Sequence, residues 1–125
     1  MNFEEALTYE LETIPGLSGK VYPISTPGKG APYAQYQSSF GRQDKALAGH
    51  LESKSIEGEI NLFAKSYGEL KDLENDAVAL LVGLEQRMIG DDGPFVYEIT
   101  YEQPVEMFES APKLHRCVIS FNIHI

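Results

Sequence analysis

SYGELKDLENDAVALLVGLEQRMIG, residues Ser66–Gly90, is the stretch on which the fold turns. Ser66 followed by Glu69 reads as a capping box, each side chain bonding the other's backbone N–H. Tyr67, Leu70, Leu73, Ala77, Leu80, Leu81, Leu84 and Met88 recur at steps of three and four, so the spacing predicts one apolar helix face. Lys71, Asp72, Glu74, Asn75, Glu85 and Gln86 fill much of the opposite side. Glu69 and Asp72 in the first turn and Arg87 in the last suit the helix dipole. Gly90 is the expected C′ residue, able to take the left-handed conformation that closes a helix. A stripe this wide needs a flat apolar cover, and the flanking sequence offers one as alternating strands.

Working outward, Asn2–Ile14 reads as a first helix, with Asn2 and Glu5 as capping pair and Phe3, Leu7, Leu11 and Ile14 on one face. Pro15-Gly16 stops it. Lys20–Ile24 reads as a short strand, Ser25–Pro32 as a Pro/Gly loop, and Pro32–Phe40 as a second strand with Ala34, Tyr36 and Phe40 on one face. Ser55–Lys65 alternates cleanly, Ile56, Gly58, Ile60, Leu62 and Ala64 against Ser55, Glu57, Glu59 and Asn61. Beyond the long helix, Asp91-Asp92-Gly93-Pro94 is a turn signal. Phe95, Tyr97, Ile99 and Tyr101 alternate in a fourth strand that Pro104 ends, and Glu106–Pro112 reads as a connector. The last strand carries Cys117, Ile119, Phe121, Ile123 and Ile125 on one face. The expected architecture is α+β: one domain over 1–125, one mainly antiparallel sheet of about five strands against two helices, in the order α-β-β-β-α-β-β. The helix face from Tyr67 to Leu84 is expected to pack on Ile60, Leu62, Ile119, Phe121 and Ile123.

Gly41–Lys54 (GRQDKALAGHLESK) leaves two readings open. Ala46-Leu47-Ala48 has the composition of a single helical turn, while the polar surroundings and two glycines favour a long, partly mobile hairpin arm. The segment is longer than a turn between two strands requires, and loops of such length are often functional.

Ten Lys and Arg against nineteen Asp and Glu give a net charge of −9, which repels phosphate and argues against groove-binding nucleic-acid recognition. A 42% hydrophobic fraction argues against disorder. The lone Cys117 excludes an internal disulfide and fits a reducing compartment. The acidic N-terminal stretch is unlike a signal peptide, and Ala77–Leu84 is far too short to span a bilayer, so an intracellular, soluble protein is expected.

Catalytic signatures are missing from the sequence. Gly28-Lys29-Gly30 resembles part of a phosphate loop, but Pro23 stands where the first glycine belongs and Gly30 where Ser or Thr belongs. His50, His115 and His124 have no metal-ligand spacing; His115 and His124 fall on opposite strand faces, one half-buried and one exposed. Asp91-Asp92-Gly93 lacks a calcium ladder, and no G-x-S-x-G elbow occurs. Cys117 alternates with core positions and reads as a buried thiol. Tyr33, Tyr36, Tyr97 and Tyr101 sit at strand spacing and read as sheet packing. No cofactor, metal or enzymatic activity is expected.

The order of features resembles a known family. A short N-terminal helix precedes Val21-Tyr22-Pro23, then a Pro/Gly loop, Ala31-Pro32-Tyr33-Ala34-Gln35-Tyr36-Gln37, a polar arm, the strand Glu57–Phe63, a helix opening Ser66-Tyr67-Gly68-Glu69, and the closing strand Leu114–Ile125. This arrangement resembles the tail completion proteins, also called tail-to-head joining or tail terminator proteins, of long-tailed bacteriophages and prophages. The resemblance implies a non-enzymatic subunit that forms a ring, commonly a hexamer, on the head-proximal end of the tail tube. Its partners would be further copies of itself, the tail tube protein and the head connector protein. It would assemble in the host cytoplasm and end at the head–tail junction of the virion, without sequence-specific nucleic-acid or membrane binding. Asp91-Asp92 departs from the family pattern. Arg42, Asp44, Lys45 and His50 on the arm are the candidate contacts to a neighbouring subunit or the channel. The alternative is a monomeric cellular module binding a peptide or small ligand, which calls for a deep apolar pocket with converging polar groups. An enzyme would call for a cleft of titratable groups with perturbed pKa values.

Overall fold

A computed structural model describes the chain except residues 25–29 and 47–48 and the side chains of Asp44, Ala46, His50, Leu51 and Glu52. Most of the Pro/Gly loop, and most of the helical turn considered at 46–48, lie outside the described residues. The described elements run α1 (Phe3–Leu11), β1 (Val21–Pro23), β2 (Tyr33–Ser38), β3 (Arg42–Ala46), β4 (Gly49–Ala64), α2 (Tyr67–Gly83), β5 (Arg87–Met88), β6 (Phe95–Val96), β7 (Glu98–Tyr101), β8 (Val105–Glu109) and β9 (Leu114–His124).

The architecture is α+β, with two helices on one face of a seven-stranded, mainly antiparallel sheet. Alternation along β4 and β9 builds its centre. Ile56, Ile60 and Leu62 pair with Ile123, Ile119 and Cys117, and all six side chains are buried. On one side of β4, β2 pairs with residues 58–63 and β3 with residues 49–55, end to end. On the far side of β9, β7 pairs with residues 121–124 and β8 with residues 114–118. β1 adds to β2 in parallel, Val21 opposite Ala34. This last pairing departs from the expected antiparallel hairpins.

α2 lies across β4, β9 and β7 and buries Leu70, Leu73, Ala77 and Leu81. α1 buries Phe3, Ala6, Leu7 and Leu11, and the Phe3 ring stands 6.4 Å from that of Phe121. Both N-termini are capped as their sequences predict. Asn2 and Glu5 form the reciprocal box, with N···O distances of 2.8 and 3.2 Å. At α2 Ser66 Oγ accepts from Glu69 N–H at 3.2 Å, but the Glu69 carboxylate takes its bond from Lys65 N–H instead of Ser66.

The long helix ends at Gly83 rather than near Gly90. Gln86 takes the left-handed conformation (φ 62°) and donates its N–H to Val96 O, which starts the β5–β6 ribbon. Arg87 then holds three parts together. Its Nε caps Gly83 O at 2.9 Å, and its two terminal nitrogens reach both carboxylate oxygens of Glu10 on α1 at 2.6 and 3.2 Å. Gly90 N–H completes the Glu10 cage at 2.8 Å. Gly90 has a positive φ of 66°, and a Cβ there would stand 2.8 Å from Ala6 Cα, so its glycine serves helix–loop contact rather than helix closure. Met88, expected on the helix stripe, therefore sits in β5 and is exposed. Tyr67 is also exposed, at the first turn of α2 beside His115.

Two further expectations are corrected. Alternation does not run through 95–101: Val96 and Ile99 are buried while Phe95, Tyr97 and Tyr101 are exposed, because β6 and β7 belong to different sheets and the chain reorients at Tyr97. The connector at 106–112 is largely β8, pairing Phe108 with His115 and Val105 with Val118.

Two predictions follow from this packing. Leu81→Ala should destabilise the protein by about 2–5 kcal/mol through lost transfer energy and an unfilled cavity, measurable by urea denaturation. The Arg87 hydrogen bonds, the Gly90 amide and the nearby guanidinium charge together hold the Glu10 carboxyl below its ordinary value despite burial. A carboxylate depressed in the folded state contributes stability above its unfolded pKa, lost as pH falls through the folded value. Glu10→Gln should therefore flatten the stability profile on the acid side of about pH 4.5, checked by denaturation across pH 3–7.

Candidate interaction surface

The four arm residues singled out from sequence lie on the β3–β4 hairpin. Arg42 opens β3 opposite Ser55, and Lys45 stands opposite His50; both Arg42 and Lys45 are exposed. Asp44 falls where the register shifts between Gln43 and Lys45. The side chains of Asp44 and His50 lie outside the described residues. The backbone thus brings Lys45 and His50 together near the hairpin end, with Arg42 at its base. β4 is longer than the strand expected at 55–65 and forms one side of the arm itself.

Among the described residues, no helix covers the second face of the sheet. Strict alternation aims Glu57, Glu59, Asn61 and Phe63 of β4 outward there, together with Arg116, Val118, Ser120 and Asn122 of β9. A recess of about 720 Å³ crosses it, lined by Gln37, Glu57, Glu59, Thr100, Ser120 and Asn122 among others. Toward the other end of this face the surface is tied down. Arg116 donates to Asn61 Oδ1 from Nε and Nη2 (2.9 and 2.6 Å) and pairs with Glu109 at 2.9 Å. The Asn61 amide in turn donates to Glu59 at 3.3 Å. This chain of bonds crosses β8, β9 and β4 and satisfies Asn61, which is fully buried. The Arg116 guanidinium also stands 5.5 Å from the Phe63 ring, on which Tyr33 stacks at 4.6 Å. The sequence expectation of a connector at 106–112 hides the role of Arg116, whose partner Glu109 lies on β8; the alternating Val105 and Met107 are the local sign of that strand.

On the helix-covered side, α2 and β8 converge on Lys71. Its Nζ lies 2.8 Å from Glu106 Oε2 and 3.5 Å from Glu74 Oε2, and Tyr67 Oη donates to Glu106 Oε1 at 3.3 Å. Burial, reinforced by the hydrogen bond with Glu106, pushes the Glu74 carboxyl up. The Lys71 bond holds Glu106 down and raises Lys71 in turn. Both Oε2 atoms are shut off from solvent. The cluster fastens an edge strand to a helix. His115 completes the join, its ring 6.0 Å from Tyr67 and 5.0 Å from Phe108. His124, expected to be exposed, is half-buried beside Tyr97. Cys117 lies fully inside, and burial, with the Glu74 and Glu106 charges, pushes its thiol up to about 12. Among the described residues, no group of three or more His, Cys, Asp or Glu is placed to hold a metal, and no helix is long and apolar enough to cross a membrane.

The fold is similar to that of a chain described as belonging to the virion of a native gene transfer agent (GTA) particle. The TM-score is 0.61 at 14% sequence identity, covering 91% of this chain and 82% of that chain. No family model and no curated protein matches the sequence.

The state of Cys117 yields a direct test. A buried thiol with so high a pKa should not react with a disulfide reagent at pH 8 until the protein unfolds. Its labelling rate should rise in step with the unfolded fraction in urea, and fast labelling of the folded protein would place Cys117 at an accessible position.

Proposed function

We propose that this chain is a structural component of a phage-like virion, and within it a ring-forming tail completion protein that caps the tail tube and joins tail to head. The observation that carries the reading is the fold likeness to a virion chain over 91% of this sequence. The family resemblance in the sequence adds to it, since Tyr22-Pro23 and Tyr33–Gln37 form the parallel pair β1–β2. The reading is non-enzymatic: Cys117 is buried in the core, and the carboxylates around Lys71 are engaged in ion pairs that join α2 to β8.

In this reading the subunit contacts further copies of itself, the tail tube protein below and the head connector above. Arg42, Asp44, Lys45 and His50 contact a neighbouring subunit or face the channel. The net charge of −9 suits a conduit that DNA passes without adhering, because acidic walls offer no counterion-release gain to phosphate. The protein works at the head–tail junction of the virion after assembly in the host cytoplasm. The competing ligand-binding module fits less well, as the recess on the open face is lined largely by polar and acidic side chains rather than by the apolar walls of small-ligand pockets.

Deletion of the gene from a viable phage or prophage tests the proposal. Electron microscopy should show DNA-filled heads separate from tails, with tails irregular in length and restored to virions by the purified protein. Normal particles from the deletion would refute it.

A further inference from the structure

We infer that Phe40 of one copy of this chain docks on the Met88–Phe95–Tyr97 patch of the next copy, a head-to-tail contact that rests on the proposed ring.

Phe40 is held out of the sheet by a β-bulge. Ser38 pairs with Gly58, Ser39 N–H donates to Glu57 O, and the next register pair is Arg42 with Ser55. Phe40 and Gly41 therefore oppose the single residue Ile56. Gly41 takes φ 99°, and a Cβ there would stand 2.9 Å from Lys54 Cδ and 3.0 Å from Ile56 Cγ1, so only glycine fits. Phe40 is 86% exposed, and Lys54 lies against it. Lys54 Nζ donates to the Phe40 carbonyl at 3.0 Å and lies 4.8 Å from the ring centroid. An aromatic ring held out from the sheet beside a cation has the composition of an interface anchor.

The opposite edge of the sheet carries a matching surface at the same height. Ile56, beside the bulge, pairs with Ile123, which pairs with Ile99; Tyr97 stands two residues beyond Ile99. Phe95 and Tyr97 have ring centroids 5.0 Å apart, and Met88 pairs with Phe95 across the β5–β6 ribbon. Met88 and Tyr97 are more than half exposed, forming a contiguous apolar patch of the kind that marks an interaction site. Charge complements shape. Arg42 and Lys54 flank Phe40, whereas the exposed Glu85 and Glu98 flank the aromatic patch. A second copy supplies the cationic aromatic knob that this acidic aromatic edge fits. Since knob and patch lie on different edges, the contact is heterologous, the type that builds a ring when the rotation relating successive copies closes.

Sedimentation velocity on the full chain and two exposed-site variants tests the contact. Wild type should assemble, whereas Phe40→Asp and Tyr97→Asp should each fall to monomers with unchanged circular dichroism; Met88→Asp replaces Tyr97→Asp if the latter unfolds. Mixing the two variants should restore one contact only, since the Phe40→Asp chain keeps its patch and the Tyr97→Asp chain keeps its knob, giving a 1:1 dimer that grows no further. Wild-type assembly by either variant alone, or full rings from the mixture, overturns this contact and leaves the ring reading standing. Variants that assemble normally yet fail to join tails assign the surface to another partner and also overturn it. A wild-type chain that stays monomeric at every concentration, with or without tail tube protein, overturns both.

Discussion

Before either helix has a floor, residues 55–64 must find residues 115–124 across an intervening helix, a two-stranded ribbon and two edge strands. That antiparallel pairing of β4 with β9 is the constraint on which the structure depends. It aligns the buried side chains of both strands in rows; β2, β3, β7 and β8 each pair with one of these two strands, β1 joins through β2, and α2 lies on their shared face. Closing so long a loop has an entropic cost that grows slowly with its length, and the apolar rows under α2 supply the compensating burial.

Against that frame the charged residues divide into two kinds. Glu10 with Arg87, and Lys71 with Glu106, are paired across elements distant in sequence, while Glu74 and Glu109 add local pairs to Lys71 and Arg116. Such pairs add little net stability over apolar side chains of equal volume, but breaking one strands its partner, so they fix geometry more than they strengthen it. The Glu10–Arg87 pair illustrates this, for it determines where α2 stops. Glu57, Glu59, Glu98 and Glu102 line the open face instead, where solvent screens them.

The elements legible in sequence are those whose periodicity and burial agree. β9 buries Cys117, Ile119, Phe121 and Ile123 as its alternation requires, and α2 buries Leu70, Leu73, Ala77 and Leu81 as its three-four spacing requires. Where a distant partner sets the geometry, local pattern misleads. The helical stripe continues in sequence to Met88, yet Arg87 is drawn to Glu10 and the strand pairing to Val96 prevails. β8 follows Pro104 and mixes charged with apolar residues, so beyond the short alternation of Val105 and Met107 its pairing with β9 is what reveals it. Phe40 keeps the parity of Ala34 and Tyr36, but one inserted residue at Gly41 removes it from their row, and the bulge has no local signature beyond that glycine. Of the candidate arm residues, polarity alone identified the segment; the cross-strand placement of Lys45 opposite His50 depends on β4 running as far back as Gly49.

The two outermost long positions of the sheet are each assembled from a pair of short strands, β2 with β3 and β7 with β8, broken at Phe40–Gly41 and around Pro104. An edge interrupted in this way offers no long flat row of free amides and carbonyls. A stray extended chain can register with only a few residues before the ladder changes direction, so the segmentation guards against runaway strand addition and fibre growth. Such an edge favours recognition through side chains over recognition through backbone. It keeps orderly association separable from aggregation.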